Sequence, residues 1–138
     1  KSWCDDYFYN SHRQENRGVG GIFFDYLKPD GKSIEALQEF VIDAGNSFLD
    51  AYIPIVEKRK SMNFNDDQRY WQELRRGRYV EFNLIHDRGT TFGLKTNGRT
   101  ESILMSLPPR VRWDYDFRPV PGSEEDKMIQ ALTPQNWI

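Results

Sequence analysis

The arginines between residues 75 and 99 are the first feature of this sequence that could do chemistry. Five of them fall within 25 residues of a chain whose formal net charge is −2. A guanidinium group holds a carboxylate or phosphate through parallel hydrogen bonds, so the cluster predicts a polyanionic ligand. The alternative is structural: the arginines end a helix favourably or pair with Glu81, Asp87 and Glu101. The five are Arg75, Arg76, Arg78, Arg88 and Arg99.

Asp87 and Arg88 stand next to each other in that region, at a predicted hairpin turn. An aspartate fixed beside an arginine stays ionised near neutral pH and can accept hydrogen bonds from ligand N–H groups. Turns also favour aspartate because its side chain bonds to the local backbone, so a purely structural role is the competing interpretation.

The other reactive side chains are few and scattered. The chain has two histidines, His12 and His86, and one cysteine, Cys4, which excludes an internal disulfide and the usual structural zinc sets. We interpret Cys4 as a small buried hydrophobe and His12 as a hydrogen-bonded residue. The glycines within residues 18–21 precede a predicted strand and open no helix, so they make a poor phosphate loop.

Length and composition indicate one folded domain. The chain has 138 residues, and its 14% aromatic content is too high for a disordered segment. It lacks the long apolar run that a transmembrane helix needs. The near balance of 19 basic and 21 acidic residues argues against a general nucleic-acid binder. The chain opens without Met, directly in aromatic sequence, and we therefore expect it to be a piece of a longer protein.

Apolar spacing predicts two helices in the first part of the chain. The first covers residues 1–13. Ser33 is the expected N-cap of the second, whose apolar stripe runs from Ile34 to Ile55. Pro54 lies inside this pattern, so a kink or break is expected over residues 50–54.

Two further helices are predicted later in the chain. One covers residues 66–76 and is followed by Gly77, the residue type favoured just after a helix end. The other covers residues 124–132 after the N-cap Ser123. The last two residues should pack back on the body: Trp137 and Ile138.

Residues 78–107 change to a period of two, which is typical of strands. Asn97-Gly98 is the strongest short hairpin signal in the chain. Helices followed by an antiparallel meander predict an α+β fold, an antiparallel β-sheet flanked by helices. The expected strands lie at residues 21–25, 79–84, 91–95, 103–107 and 111–117.

Three blocks of the sequence resemble one known family. The first runs from Lys1 to Asp25 and includes HRQENRGVGGIFFD. The second starts at Arg75 with RRGRYVEFNL and continues with DRGT, and the third starts at Asn97 with NGRTESILMSLPP. They resemble the oxygen-dependent coproporphyrinogen III oxidases along the whole chain. The resemblance implies that residues 1–138 are the C-terminal part of a single oxidase domain whose N-terminal half is absent from this chain.

The resemblance implies an activity. Family members convert two propionates of coproporphyrinogen III to vinyl groups, giving protoporphyrinogen IX in haem biosynthesis. Molecular oxygen is the electron acceptor and no organic cofactor is needed. The resemblance does not decide whether a divalent metal is required. Members are homodimers with a large antiparallel sheet flanked by helices, which implies an interface within residues 79–113. The implied location is the cytoplasm or, alternatively, the mitochondrial intermembrane space.

The resemblance also implies catalytic roles for Asp87 and Arg88. Asp87 corresponds to a family aspartate, and we expect it to hold pyrrole N–H groups and polarise the ring for attack by oxygen. Arg88 is expected to orient Asp87 or to hold a carboxylate of the substrate.

Four more residues are implied in binding. Asn97, Gly98 and Arg99 match the family's substrate-binding turn, where the family often has Gly at the position of Asn97, so only a backbone contact is carried over there. His12 matches a family histidine proposed as a metal ligand or as a support for the site. Because the partner histidines are absent from this chain, a metal at His12 alone is doubtful.

A second hypothesis comes from a different class of protein. A module without catalysis could hold a polyanion such as single-stranded RNA on the arginines and aromatic rings of residues 75–99. RNA binding would weaken steeply with salt, whereas porphyrin binding should depend on Arg99. The three blocks favour the oxidase, which implies a porphyrinogen substrate and no nucleic-acid partner.

Overall fold

The computed structural model describes residues 1–136, so the expected packing of Trp137 and Ile138 lies outside the described residues. The chain forms two compact units. One contains Lys1–Phe23 and the chain from Asp66 onward, and the other contains Phe24–Asn65. The candidate site residues all lie in the first unit.

The first unit begins with helix α1, Ser2–Tyr7, and a small antiparallel sheet. Strand β1, Tyr9–Asn10, pairs with β2, Glu15–Asn16, with Tyr9 opposite Asn16. The predicted helix over residues 1–13 is therefore too long, because the chain leaves the helix after Tyr7 to form this hairpin. A sheet combined with helices confirms the α+β class.

Helix α3, Asp66–Glu81, begins where the sequence predicted but continues past Gly77. Gly77 is a buried interior residue of the helix, and a β-carbon there would lie 2.6 Å from the carbonyl oxygen of Arg112. The glycine therefore permits a close approach of the Arg112–Trp113 backbone instead of ending the helix. A π-helical segment, Phe82–His86, follows directly.

Three short helices complete the first unit. Helix α4 covers Arg88–Lys95, α5 covers Thr100–Leu104, and α6 covers Glu124–Ala131. The side chain of Ser123 accepts a hydrogen bond from the Asp126 backbone, which confirms the predicted cap of α6.

The predicted meander is wrong. Residues 79–84 are helical, residues 91–95 lie in α4, and residues 103–104 lie in α5. Residues 21–25 and 111–117 form no strand.

The strand prediction failed because of the burial pattern at the end of α3 and the start of the π-helical segment. Its buried positions include 74, 77, 78, 81 and 82, which is the spacing of one helix face. Two of these positions hold the charged side chains Arg78 and Glu81, which pair with each other. Because these two buried positions are charged, the apolar residues alone show the alternation of a strand and not the spacing of a helix face.

The second unit consists of a loop and helix α2, Ile34–Arg59. The side chain of Ser33 accepts a hydrogen bond from the Ala36 backbone at 3.1 Å, which confirms the predicted cap. The helix passes through Pro54 without a break, in contrast to the expected interruption. No residue of α2 is buried within this chain. Among the described helices, none is long and apolar enough to cross a membrane.

Candidate active site

Asp87 caps the N-terminus of α4, so it lies at a helix start and not at the predicted hairpin turn. Its Oδ2 accepts a hydrogen bond from the Thr90 backbone N–H at 2.6 Å, and its Oδ1 accepts one from the Tyr7 hydroxyl at 3.3 Å. A carboxylate has about four acceptor positions, so Asp87 keeps spare acceptor capacity. The side chain is half-buried, which leaves it within reach of a ligand.

The surroundings of Asp87 keep it ionised. Burial alone would raise the pKa of Asp87, but hydrogen bonds from Thr90 and Tyr7 and the positive charge of Arg17 lower it below its usual value. The guanidinium of Arg88 lies over the Tyr7 ring, 4.9 Å from the ring centroid, so it contacts the side chain that donates to Asp87. Its expected role in orienting Asp87 or holding a substrate carboxylate stays a prediction.

Glu81 is the most heavily bonded carboxylate of the unit. Arg13 donates two hydrogen bonds to it, at 2.9 and 2.8 Å. Arg78 donates at 3.0 Å and the Trp113 indole at 2.9 Å. His12 Nε2 lies 2.7 Å from Oε2, the oxygen that also accepts from Arg13 Nε. Glu81 thus ties the β1–β2 hairpin to α3 and to the segment around Trp113.

The electrostatic result is a buried carboxylate that stays ionised at neutral and mildly acidic pH. Burial alone would raise the pKa of Glu81, but the hydrogen bonds from Arg13 and His12 and the charge of Arg78 lower it to about 2. The bond to Glu81 in turn raises the pKa of Arg13. Its acceptor positions are filled by the protein, so Glu81 acts as a structural clamp.

The ionised Glu81 fixes the hydrogen positions on two histidines. It can only accept, so His12 Nε2 carries a hydrogen. His86 Nε2 lies 3.0 Å from His12 Nδ1, and in the tautomer of His12 with its hydrogen on Nε2 the bond between the two rings is donated by His86. Because both ring nitrogens of His12 are engaged, a metal would have to displace one of these bonds. Within residues 1–136 no group of three or more His, Cys, Asp or Glu side chains is arranged to hold a metal, and the His12 assignment stays a prediction.

The predicted binding turn lies at the other end of α4. Asn97 has a left-handed backbone with φ of 57°, and the Gly98 N–H donates to the Gly93 carbonyl at 2.8 Å. This is a helix C-terminus and not a hairpin, with Asn97 in the position that usually favours glycine. A β-carbon on Gly98 would lie 2.7 Å from the Gly93 oxygen. The eight residues of α4, a length of about 12 Å, lie between Asp87 and this turn, which Arg99 follows.

The arginines do not form one free cluster. Arg75 pairs with Glu15 at 2.9 Å, and Arg78 pairs with Glu81. The pairing of Arg78 with Glu81 confirms part of the structural alternative. In the part of the chain that the structure describes, Arg99 forms no ion pair with Glu101.

Aromatic rings from two parts of the sequence pack together beside Asp87. Tyr7 stacks on Phe23 with ring centroids 4.8 Å apart and approaches Phe82 at 6.0 Å. Phe8 contacts both Phe23 and Phe82, at 5.0 and 5.3 Å. This group holds residues 1–23 against the π-helical segment, and so fixes the Tyr7 hydroxyl that bonds to Asp87.

One protein family matches this chain over almost its whole length. The sequence model described as "Coproporphyrinogen III oxidase" matches residues 1–137. The chain belongs to the coproporphyrinogen III oxidase family. All three sequence blocks fall inside the match, which confirms the resemblance on which the site residues were chosen.

Curated relatives of the coproporphyrinogen III oxidase family are similar over the full chain. One from Glycine max, described as "Oxygen-dependent coproporphyrinogen-III oxidase, chloroplastic", is 60% identical over 139 residues. "Coproporphyrinogen-III oxidase 1, chloroplastic" from Arabidopsis thaliana is 59% identical. "Oxygen-dependent coproporphyrinogen-III oxidase" from Francisella tularensis subsp. holarctica is 56% identical over 138 residues. The chain spans 36% of the two plant relatives and 44% of the Francisella one.

Sequence reasoning missed several residues of the candidate site. Tyr7 bonds to Asp87 from 80 positions away along the chain, and the charge of Arg17 acts on Asp87 from 70 positions away. No local sequence pattern reveals either interaction. Glu81 was considered only as a partner for an arginine, and His86 was given no role. A helical interpretation of residues 77–82 would have placed Arg78 and Glu81 three residues apart on one face.

Proposed function

We propose that the full-length protein to which this chain belongs oxidises coproporphyrinogen III to protoporphyrinogen IX with molecular oxygen. Each of two propionates, with one proton and one O₂, gives a vinyl group, CO₂ and H₂O₂, so oxygen is reduced by two electrons as the side chain is oxidised. The family match over residues 1–137 carries this proposal. The half-buried, ionised Asp87 with free acceptor positions supports it.

Asp87 is the proposed contact for the macrocycle. The substrate presents pyrrole N–H donors, and an ionised carboxylate with spare acceptor positions is their natural partner. The bonds from Thr90 and Tyr7 hold the carboxylate in place before the substrate arrives. A fixed negative charge beside the ring stabilises the positive charge that develops as electrons leave the ring for oxygen.

Arg88 and the turn after α4 are proposed to bind the periphery of the ring. The guanidinium of Arg88 lies on the Tyr7 ring, so its hydrogen-bonding edge is available for a substrate carboxylate. Asn97 and Gly98 offer backbone groups, and Arg99 is an exposed cation. Contacts at both ends of α4 suit a ligand as wide as a tetrapyrrole.

We infer a homodimer whose interface lies within residues 79–113. Large apolar side chains in this range are exposed in the chain, among them Ile85 at 60%, Phe92 at 68% and Met105 at 79%. A stable dimer buries roughly 800 Å² per partner or more, and apolar side chains dominate such areas. Light scattering of the full-length protein checks this, and a monomer at micromolar concentration would contradict it.

Oxygen is the proposed co-substrate, and no organic cofactor or metal is assigned to the described residues. The cytoplasmic location stays a prediction. The Glycine max and Arabidopsis thaliana relatives carry a chloroplastic description, and the description of the Francisella relative names no compartment.

The deciding experiment supplies the full-length protein with coproporphyrinogen III, with and without oxygen, and separates the products by chromatography. We expect protoporphyrinogen IX and hydrogen peroxide only when oxygen is present. The 138-residue chain alone should be inactive, because it spans less than half the length of its relatives. An unchanged substrate in the full-length reaction would refute the proposed function.

A further inference from the structure

A cavity of about 270 Å³ lies beside α1 and the β1–β2 hairpin, with the glycine-rich segment 18–21 along one wall. Pockets for whole ligands usually have volumes of roughly 300–1,000 Å³. This one suits a single arm of a ligand better than an entire macrocycle. Phe8, Ile22 and Phe23 supply apolar walls, so the arm should carry an apolar stem.

The cavity has one cation among its lining residues, Arg17. The guanidinium carbon of Arg17 lies 4.2 Å from the centroid of Phe8, 5.0 Å from that of Phe82 and 5.2 Å from that of Tyr79. Rings that contact a guanidinium hold it in place while it remains charged. Arg17 is therefore oriented by packing before any anion binds.

Arg17 lacks the partner that a half-buried arginine normally has. Among residues 1–136 it forms no ion pair and its side chain donates no hydrogen bond. Asp5, the one acidic residue in the lining, is bound by Lys1 at 2.6 Å. The neighbouring arginines differ, because Arg13 is bonded to Glu81.

Part of the cavity lining is the backbone of the glycine-rich segment. Gly20 and Gly21 have positive φ values of 50° and 150°, and a β-carbon on Gly21 would lie 3.4 Å from the sulfur of Cys4. The N–H groups of residues 18–21 donate to no other backbone group within the described residues. Gly18, Gly20 and Gly21 thus bring N–H groups with no backbone partner in the described part of the chain to the lining of a cavity whose positive charge comes from Arg17.

We propose that Arg17 and this cavity bind one carboxylate-bearing side chain of the substrate, a propionate arm in the proposed reaction. The inference rests on the proposed function. Carboxylates are the anions that the fork of an arginine matches in two parallel bonds. The positive charge of Arg17 acts on the Asp87 carboxylate. A substrate whose propionate binds Arg17 would therefore have its macrocycle near Asp87, the proposed acceptor for the pyrrole N–H groups.

The test measures binding to the full-length enzyme by fluorescence titration with coproporphyrin III and with its tetramethyl ester. The two probes share the ring and differ in their carboxylates. Arg17→Met should weaken binding of the acid about 10- to 100-fold, the usual scale for one charged hydrogen-bonded pair, and leave the ester unchanged. Arg17→Lys should lose less, because the charge remains while the planar fork is lost.

The control is Arg59→Met, a change of an exposed arginine in α2, which should bind both probes like the wild type. Equal losses for acid and ester in Arg17→Met would mean that Arg17 acts through packing and would overturn the proposal. The proposal would also be overturned if Arg17→Met kept the wild-type preference for the acid and had a lower melting temperature. That result is expected if a carboxylate from the rest of the full-length chain occupies the cavity. Wild-type turnover separates the two ideas, because its absence refutes the proposed function, whereas normal turnover with unchanged acid binding refutes only this subsite.

Discussion

Glu81 and Asp87 are two carboxylates six residues apart that the fold treats in opposite ways. Glu81 is 8% exposed and receives hydrogen bonds from residues of three separate segments. Asp87 receives bonds from Thr90 and Tyr7 and is only half-buried. Both have a lowered pKa, so ionisation alone does not distinguish a structural acid from a catalytic one.

The difference lies in what remains for a ligand. The acceptor positions of Glu81 are filled by the protein, and removing them leaves buried donors without a partner. Asp87 keeps acceptor positions that the protein does not use. Changes at Glu81 should therefore act first on stability, and changes at Asp87 should act first on turnover.

The largest effect is expected for Asp87→Asn in the full-length enzyme. The substitution removes the charge and turns part of the acceptor into a donor, so turnover of coproporphyrinogen III should fall about 100-fold or more. Asparagine caps helices as well as aspartate does, so the melting temperature should stay close to that of the wild type. Steady-state turnover and a melting curve check both parts.

Asp87→Ala is the matched variant for the cap. It should lose the same turnover and in addition about 1 kcal/mol of unfolding free energy, because the bond to the Thr90 N–H is lost. Near-normal turnover in Asp87→Asn with an unchanged melting temperature would make Asp87 a cap only, and the catalytic assignment would be wrong.

The second effect is a loss of stability in Glu81→Gln. The new amide presents a donor to the Arg13 and Arg78 guanidinium groups and leaves the buried charge of Arg78 with only Glu15, whose carboxylate lies 3.8 Å away. Breaking a buried ion pair costs roughly 3–5 kcal/mol. Urea unfolding of the full-length protein should show a lower midpoint, and a midpoint equal to that of the wild type would refute the clamp.

The third prediction concerns the stability of the protein at low pH. Because the pKa of Glu81 is about 2 in the folded chain and 4.5 for the free side chain, its contribution is complete above pH 4.5 and is lost as the pH falls towards 2. A shift of that size corresponds to at most about 3 kcal/mol. Unfolding free energies measured at intervals from pH 6 to pH 2.5 should fall less steeply in Glu81→Gln than in the wild type. Parallel curves would contradict the assignment of this acid sensitivity to Glu81.

The sequence revealed what is local in this fold. Ser33, Ser123 and the start of α3 were predicted because a cap and the helix that follows it are neighbours in the chain. Asp87 was identified from its position next to Arg88 in the sequence and from the family block that contains both residues. The α+β class was also predicted, although from strands that are not present.

The sequence could not reveal what the chain brings together from a distance. Arg13 and Trp113 meet at Glu81 from 68 and 32 residues away, and their donors make it possible to bury a charge in a helix face. The apolar alternation of residues 79–84 then predicted a strand because two buried positions of the true helix face are charged. The role of Gly77 was equally non-local, since the backbone of Arg112 determines it.

The smallest predicted effect tests that non-local packing through two glycines in helix interiors. In Gly77→Ala the new β-carbon would lie 2.6 Å from the Arg112 oxygen and 3.3 Å from the Trp113 indole nitrogen, the atom that donates to Glu81. The better helix propensity of alanine offsets up to about 1 kcal/mol, but forced repacking costs about 1–3 kcal/mol. A net loss of roughly 1 kcal/mol is expected in urea unfolding of the full-length protein.

Gly45→Ala in α2 is the matched control. A β-carbon on Gly45 meets no atom within 4 Å in this chain, so the same substitution should stabilise its helix by about 0.5–1 kcal/mol. Opposite signs at the two positions would show that α3 is pressed against the Arg112–Trp113 backbone and that this contact supports the indole bond to Glu81. If Gly77→Ala stabilises as much as Gly45→Ala, the backbone near Trp113 gives way freely, and the indole contributes little to the clamp that separates Glu81 from Asp87.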